Sequence, residues 1–82
     1  MFYFYIFCCK DNTLYCGSTN NLDNREKRHN IGRGATYTKI HGPGKIVYSE
    51  SFATIGDALR REYEVKKWSR IKKEHLVKNL KP

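Results

Sequence analysis

The chain has 82 residues, which suits one domain, and its 39% hydrophobic and 13% aromatic content excludes a disordered polymer. Lys and Arg number 16 against 8 Asp and Glu, which gives a formal net charge of +8. Such an excess on a short chain indicates a polyanionic partner, and nucleic acid is the commonest one. A membrane partner is disfavoured, because no segment combines a broad apolar face with a basic face. We therefore expect one domain over residues 1–82; a charge that serves only solubility stays open as the alternative.

The cysteines and the apolar N-terminal run bear on the cellular compartment. Cys8, Cys9 and Cys16 form no CxxC pair, and no His follows them at zinc-binding spacing. Reduced thiols in a cytoplasmic protein are therefore expected. The run MFYFYIFCC lacks the features of a signal peptide and is too short to span a bilayer, so we predict a strand.

The first two predicted elements form a β-hairpin. Residues 2–9 are aromatic, β-branched or Cys, which predicts a strand buried on both faces, and residues 13–18 resume the strand pattern. Residues 10–12 predict a three-residue turn that ends with Asn12 in the left-handed conformation.

This turn fixes the register of the hairpin. It places Cys9 opposite Thr13 and Phe7 opposite Tyr15. Because side chains alternate along a strand, Tyr5 and Tyr15 should lie on the same face of the hairpin.

A short helix over residues 21–30 is predicted next. Its residues Leu22, Arg25 and His29 share one face, which carries a single apolar side chain and so differs from an ordinary core stripe. Residues 31–44 are rich in Gly and basic groups and predict a loop.

A third strand over residues 45–52 is followed by two helical segments, 55–69 and about 72–80, of which the first is capped by Thr54. The order β-β-α-β-α-α predicts an α+β fold with a small sheet.

Glu62 stands out in the helix of residues 55–69. At 3.6 residues per turn it falls in the middle of the apolar side expected to face the sheet, which consists of Ile55, Ala58, Leu59 and Val65. A carboxylate there is unfavourable unless it is compensated. Two compensations stay open: an i,i+4 ion pair with Lys66, or a place in a cleft where the carboxylate binds a hard divalent cation.

Basic residues offer candidate contacts to phosphates. The densest cluster surrounds Trp68, a side chain that either stacks on a base or folds back onto the core. The candidate nucleic-acid-binding residues are Lys66, Lys67, Arg70, Lys72 and Lys73, with Arg33 and Lys39 in the Gly-rich loop.

Four segments in this order resemble the GIY-YIG nuclease superfamily, and most closely its small stand-alone members of largely uncharacterised function. They are Tyr-Phe-Tyr-Ile (3–6), Leu-Tyr-Cys-Gly (14–17), the helix of residues 19–30, and the Glu-bearing helix of residues 58–68. The resemblance implies a three-stranded antiparallel sheet flanked by helices. It also implies metal-dependent hydrolysis of phosphodiester bonds, in DNA rather than RNA, with one Mg²⁺ or Mn²⁺.

The resemblance also implies a role for each matching residue. Tyr5 and Tyr15 correspond to the tyrosines of the two half-motifs and would help to activate water, with pKa values lowered by nearby positive charge. Arg25 corresponds to the catalytic arginine, and His29 to the histidine that follows it. Glu62 corresponds to the metal ligand, and Gly17 is the structural glycine that closes the second half-motif.

The chain departs from the usual motif at several positions. Tyr3 and Phe4 replace the Gly and Ile of the first half-motif, and Cys16 replaces an aliphatic residue in the second. Asn79 is the candidate for a polar residue that many active members carry after the Glu. A nucleic-acid-binding module with weak or no catalysis on the same fold is therefore the alternative function.

Overall fold

The computed structural model describes residues 1–30 and 43–78, except for the side chain of His29. The elements are β1 (Phe2–Cys9), β2 (Leu14–Thr19), α1 (Leu22–Asn30), β3 (Gly44–Phe52), α2 (Ile55–Lys66) and α3 (Arg70–Lys78). The predicted α+β class and β-β-α-β-α-α order are confirmed. The helix predicted over 55–69 ends at Lys66, and the last helix begins at Arg70 rather than at residue 72.

The three strands form an antiparallel sheet in the order β2-β1-β3, so β1 is the central strand. The predicted hairpin register is correct: Phe7 pairs with Tyr15, the Cys9 amide donates to the Thr13 carbonyl, and Asn12 has a φ of 69°. A bulge between Ile6 and Phe7 shifts the pairing of β1 with β3.

Both faces of β1 are buried, as its unbroken apolar sequence predicts. Phe4 and Ile6 face one side, where Cys16, Tyr48 and Val65 complete the larger core cluster. The opposite side of the same strand forms a second cluster with α1, from Tyr5, Phe7, Cys9, Tyr15, Leu22 and Ile46. The sheet is thus covered by α1 on one face and by α2 and α3 on the other.

Side-chain bonds hold α1 against the far edge strand. The Glu26 carboxylate accepts a hydrogen bond of 2.9 Å from the Ile46 amide, beside the bulge. Asn30, at the end of α1, accepts one of 2.8 Å from the Gly44 amide. These bonds set the position of α1 on the sheet. Of the helices in residues 1–30 and 43–78, none has the length and apolar character needed to cross a membrane.

Candidate active site at the edge of the sheet

Tyr5 reaches the β2 edge of the sheet across a glycine. Its side chain is 1% exposed, and Gly17 is its partner on β2. A Cβ at position 17 would lie 2.5 Å from the Tyr5 hydroxyl oxygen, so a side chain there would displace the phenol. The bare backbone at Gly17 therefore lets the hydroxyl extend over β2. Tyr15 lies two residues earlier on the same face and is half-buried.

Helix α1 packs on the face of the sheet that carries Tyr5. The helix begins with the Asn21 side chain, which accepts a hydrogen bond of 2.9 Å from the Asn24 amide. Leu22 packs against the Tyr5 cluster, and Arg25 follows one turn later, half-buried. His29 lies one further turn along α1.

Glu62 approaches the same edge from the opposite face. Ser18 follows Gly17 in β2 and therefore points toward α2, where its hydroxyl donates a 2.7 Å hydrogen bond to Glu62 Oε1. Lys66 Nζ lies 2.7 Å from Glu62 Oε2. The Glu62 side chain is 17% exposed, so the carboxylate sits at a rim, neither in open solvent nor in the core. The sequence predicted that Glu62 faces the sheet, and it gave an ion pair with Lys66 as one of two alternatives. The structure shows both features.

Residues from both faces of the sheet affect the pKa of Tyr5. Burial raises the pKa of Tyr5 far above its usual value; Arg25 lowers it, whereas Tyr15 and Glu62 raise it further. Arg25, Tyr15 and Glu62 therefore all act on one hydroxyl at the β2 edge. Arg25 lowers the pKa of Tyr5, as expected of a nearby positive charge, but desolvation outweighs it and the net shift is upward. Tyr5 is a neutral hydrogen-bond donor at physiological pH.

The donors at this edge fit a hard divalent cation held by a single carboxylate. Within the described parts of the chain, no group of three or more His, Cys, Asp and Glu side chains could hold a metal. Mg²⁺ commonly binds one or two carboxylates, retains several waters and takes further oxygens from substrate phosphates. Glu62 at the rim, with the Ser18 hydroxyl beside it, meets that requirement once Lys66 leaves Oε2.

The basic cluster on α2 and α3 divides into side chains near the site and side chains engaged elsewhere. Lys66 and Lys73 are the two cations whose charges act on Cys16 in β2, so they lie near the edge; burial nevertheless keeps the pKa of that thiol raised. Lys67 lies over the Tyr63 ring, and Arg70 pairs with Glu74 at 2.8 Å.

Trp68 contributes to the fold and is not an open stacking platform. It packs against the larger core cluster. Arg61 lies 5.2 Å from the centre of its ring, and Lys72 lies 4.3 Å from it. Of the two alternatives for this side chain, packing on the core is the one found.

Two side chains with clear roles were not singled out from the sequence. Ser18 is the partner of Glu62, and strand alternation next to Gly17 was the signal that could have identified it. Arg61 pairs with Glu50 of β3 at 2.9 Å, and both side chains are largely buried. The candidates Arg33, Lys39 and Asn79 lie outside the described residues.

The chain is similar to known proteins over most of its length. The model of the family described as "GIY-YIG catalytic domain" matches residues 1–75. The chain is 49% identical over 75 residues to the UPF0213 protein YazA of Bacillus subtilis, and the match covers 92% of this chain and 76% of that protein. It is 51% identical over 77 residues to the UPF0213 protein CPE1444 of Clostridium perfringens, covering 94% and 83%.

A solved structure is also similar. The solution NMR structure of the UPF0213 protein BH0048 from Bacillus halodurans has a TM-score of 0.60 and 48% identity, and the match covers 99% of this chain and 86% of that one.

Proposed function

The chain belongs to the GIY-YIG family, and from this membership we propose that it is an endonuclease that hydrolyses phosphodiester bonds in DNA with one divalent metal, in the cytoplasm. The observation that carries the proposal is that the Glu62 carboxylate is hydrogen-bonded to Ser18, next to the Gly17 that the Tyr5 hydroxyl crosses, so both groups lie at the β2 edge. The charges of Arg25 and Glu62 both act on the pKa of Tyr5. A carboxylate can hold the metal, a guanidinium can stabilise charge on the phosphate, and phenols can orient the phosphate and the water in metal-assisted hydrolysis.

Each residue has a role that follows from its chemistry. Glu62 would hold Mg²⁺ or Mn²⁺, which when bound neutralises phosphate charge and favours ionisation of water. Arg25 donates hydrogen bonds to the phosphate oxygens and stabilises the charge that develops on them. Neutral Tyr5 donates its O–H to a phosphate oxygen, the Tyr15 hydroxyl accepts a hydrogen bond from the attacking water and orients it, and His29 is the candidate for receiving the proton.

Nicking of supercoiled plasmid DNA in Mg²⁺ and Mn²⁺ tests the proposal. The variants Glu62→Gln and Arg25→Gln should each lose about 100-fold or more of the rate, as expected for removal of a group that stabilises transition-state charge. Glu74→Gln and Arg28→Gln are the matched controls, because they remove the same charges from an exposed pair on α3 and an exposed position on α1. Equal losses in the controls would contradict the assigned site.

A second candidate function is a nucleic-acid-binding module without catalysis. The observation in its favour is that both Glu62 oxygens already have protein partners, Ser18 and Lys66. Its affinity for DNA would fall steeply with salt, as would that of a nuclease. Wild-type protein that binds DNA but leaves it intact in every common divalent metal would favour this candidate.

A further inference from the structure

Lys66 occupies the oxygen of Glu62 that a cation would need. Its ammonium lies 2.7 Å from Glu62 Oε2, while the Ser18 hydroxyl holds Oε1, also at 2.7 Å. The hydrogen bond from Ser18 to Glu62 is partly buried between β2 and α2. The Ser18 hydroxyl also lies 3.3 Å from the Ala58 carbonyl. Lys66 is 51% exposed against 17% for Glu62, so the lysine is the partner that can leave.

The same ammonium lies within the candidate active site. The hydrogen bond from Lys66 to Glu62 raises the lysine pKa, and the negative forms of Tyr15 and Cys16 raise it further. Because Lys66 lies at hydrogen-bond distance from Glu62 and its side chain is half exposed, it is within reach of a phosphate bound beside that carboxylate. Its flexible stem allows the charged head to move between partners on one side of the site.

We propose that Lys66 exchanges partners, binding Glu62 in the free protein and a substrate phosphate once a divalent cation takes the carboxylate. The inference rests on the proposed function, because it assumes that Glu62 is the metal ligand. It follows that Lys66 weakens metal binding in the absence of nucleic acid and strengthens nucleic-acid binding in the presence of metal. Binding of the two ligands is then positively coupled, and the coupling is the same in either order.

Titration with Mn²⁺, with the free ion measured by electron paramagnetic resonance, tests whether Lys66 weakens metal binding. Lys66→Met keeps most of the apolar stem and removes the charge, so it should bind Mn²⁺ about 5- to 50-fold more tightly than wild type, within the usual range of coupling between sites. Lys45→Met is the matched control, because Lys45 is exposed and lies on β3, the edge strand opposite to β2. It should bind Mn²⁺ as wild type does.

A phosphorothioate duplex, which resists hydrolysis, tests whether Lys66 strengthens nucleic-acid binding when metal is present. Wild-type protein and Lys45→Met should bind this duplex more tightly when Mn²⁺ is added, and Lys66→Met should lose that gain. The melting temperatures of the variants verify that each is folded.

The outcomes separate this inference from the proposed function. If Glu62→Gln loses Mn²⁺ binding while Lys66→Met binds Mn²⁺ as wild type does, the partner exchange is overturned and the metal site stands. If Glu62→Gln binds Mn²⁺ as tightly as wild type, the metal site itself is wrong, and the exchange is overturned with it.

Discussion

The contact between Tyr5 and Gly17 joins the two half-motifs in a single pair of residues. The Tyr5 ring lies where a side chain at position 17 would be, so the glycine is required by close approach. The buried hydroxyl owes its place at the sheet edge to this approach, which ties the fold of the hairpin to the chemistry of the site.

Gly17→Ala should therefore destabilise the protein by about 1–3 kcal/mol, the usual effect of overpacking a buried site, and displace Tyr5. The measurement is urea unfolding, with the same variant assayed for plasmid nicking. Gly56→Ala is the control, since its Cβ would meet only the Thr54 hydroxyl at 3.9 Å and should stabilise the protein by about 0.4–1 kcal/mol. A Gly17→Ala variant as stable and active as wild type would show that the approach is not needed.

Helix α2 shows both what the sequence predicts of an element and where the prediction ends. Its periodicity correctly directs Ala58, Glu62 and Val65 toward the sheet. It also predicted that Ile55 and Leu59 are buried, which was wrong, because they are 43% and 50% exposed.

The rotation of α2 is set by partners that lie far away in sequence. Arg61 binds Glu50 on β3, and Glu62 binds Ser18 on β2, so the helix is held from both edges of a narrow sheet. Strand alternation indicates which face Ser18 takes, but no local pattern pairs Ser18 with Glu62 or Glu50 with Arg61. The burial of the apolar residues on one flank of α2 was therefore predicted wrongly.

This rotation predicts unequal effects of two truncations on α2. Val65→Ala removes a side chain that is 0% exposed and should lower the free energy of unfolding by on the order of 2 kcal/mol. Leu59→Ala removes a larger but half-exposed side chain and should change it by about 0.5 kcal/mol or less. Urea unfolding measures the free energy of unfolding of both variants. A larger decrease in Leu59→Ala than in Val65→Ala would contradict this rotation of α2.

At the scale of the whole molecule, the hairpin and the order of elements follow from local signals, namely a turn, caps and alternating strands. The site does not, because it gathers residues from β1, β2, α1 and α2. Resemblance to a family supplied Tyr5, Tyr15, Arg25 and Glu62, and spacing along the helix supplied the Glu62–Lys66 pair as one of two alternatives. The contact of Ser18 with Glu62 came from the structure.

The charge network between β3 and α2 links stability to pH. Burial alone would raise the pKa of Glu50, but hydrogen bonds from Arg61 and Tyr48 outweigh it and lower the pKa below its ordinary value of 4.5. Burial, together with the hydrogen bond to Glu50, raises the pKa of Tyr48 from 10.0 to about 12. The carboxylate therefore stabilises the fold when ionised, and the phenol does so when neutral.

The stability advantage of wild type over Glu50→Gln should be constant above pH 4.5 and shrink as the pH falls through the folded pKa. The advantage over Tyr48→Phe should be constant below pH 10 and shrink between pH 10 and 12. Chemical denaturation across pH measures both. Advantages that do not vary with pH would contradict the network.

The most direct test of the central claim is anomalous diffraction at the manganese edge, from crystals grown with Mn²⁺ and the phosphorothioate duplex. We predict a peak against the Glu62 carboxylate, with a backbone phosphate between that ion and Arg25 and with the Tyr5 hydroxyl facing the same phosphate. A manganese peak remote from Glu62, or a duplex bound on another surface of the protein, would contradict the account.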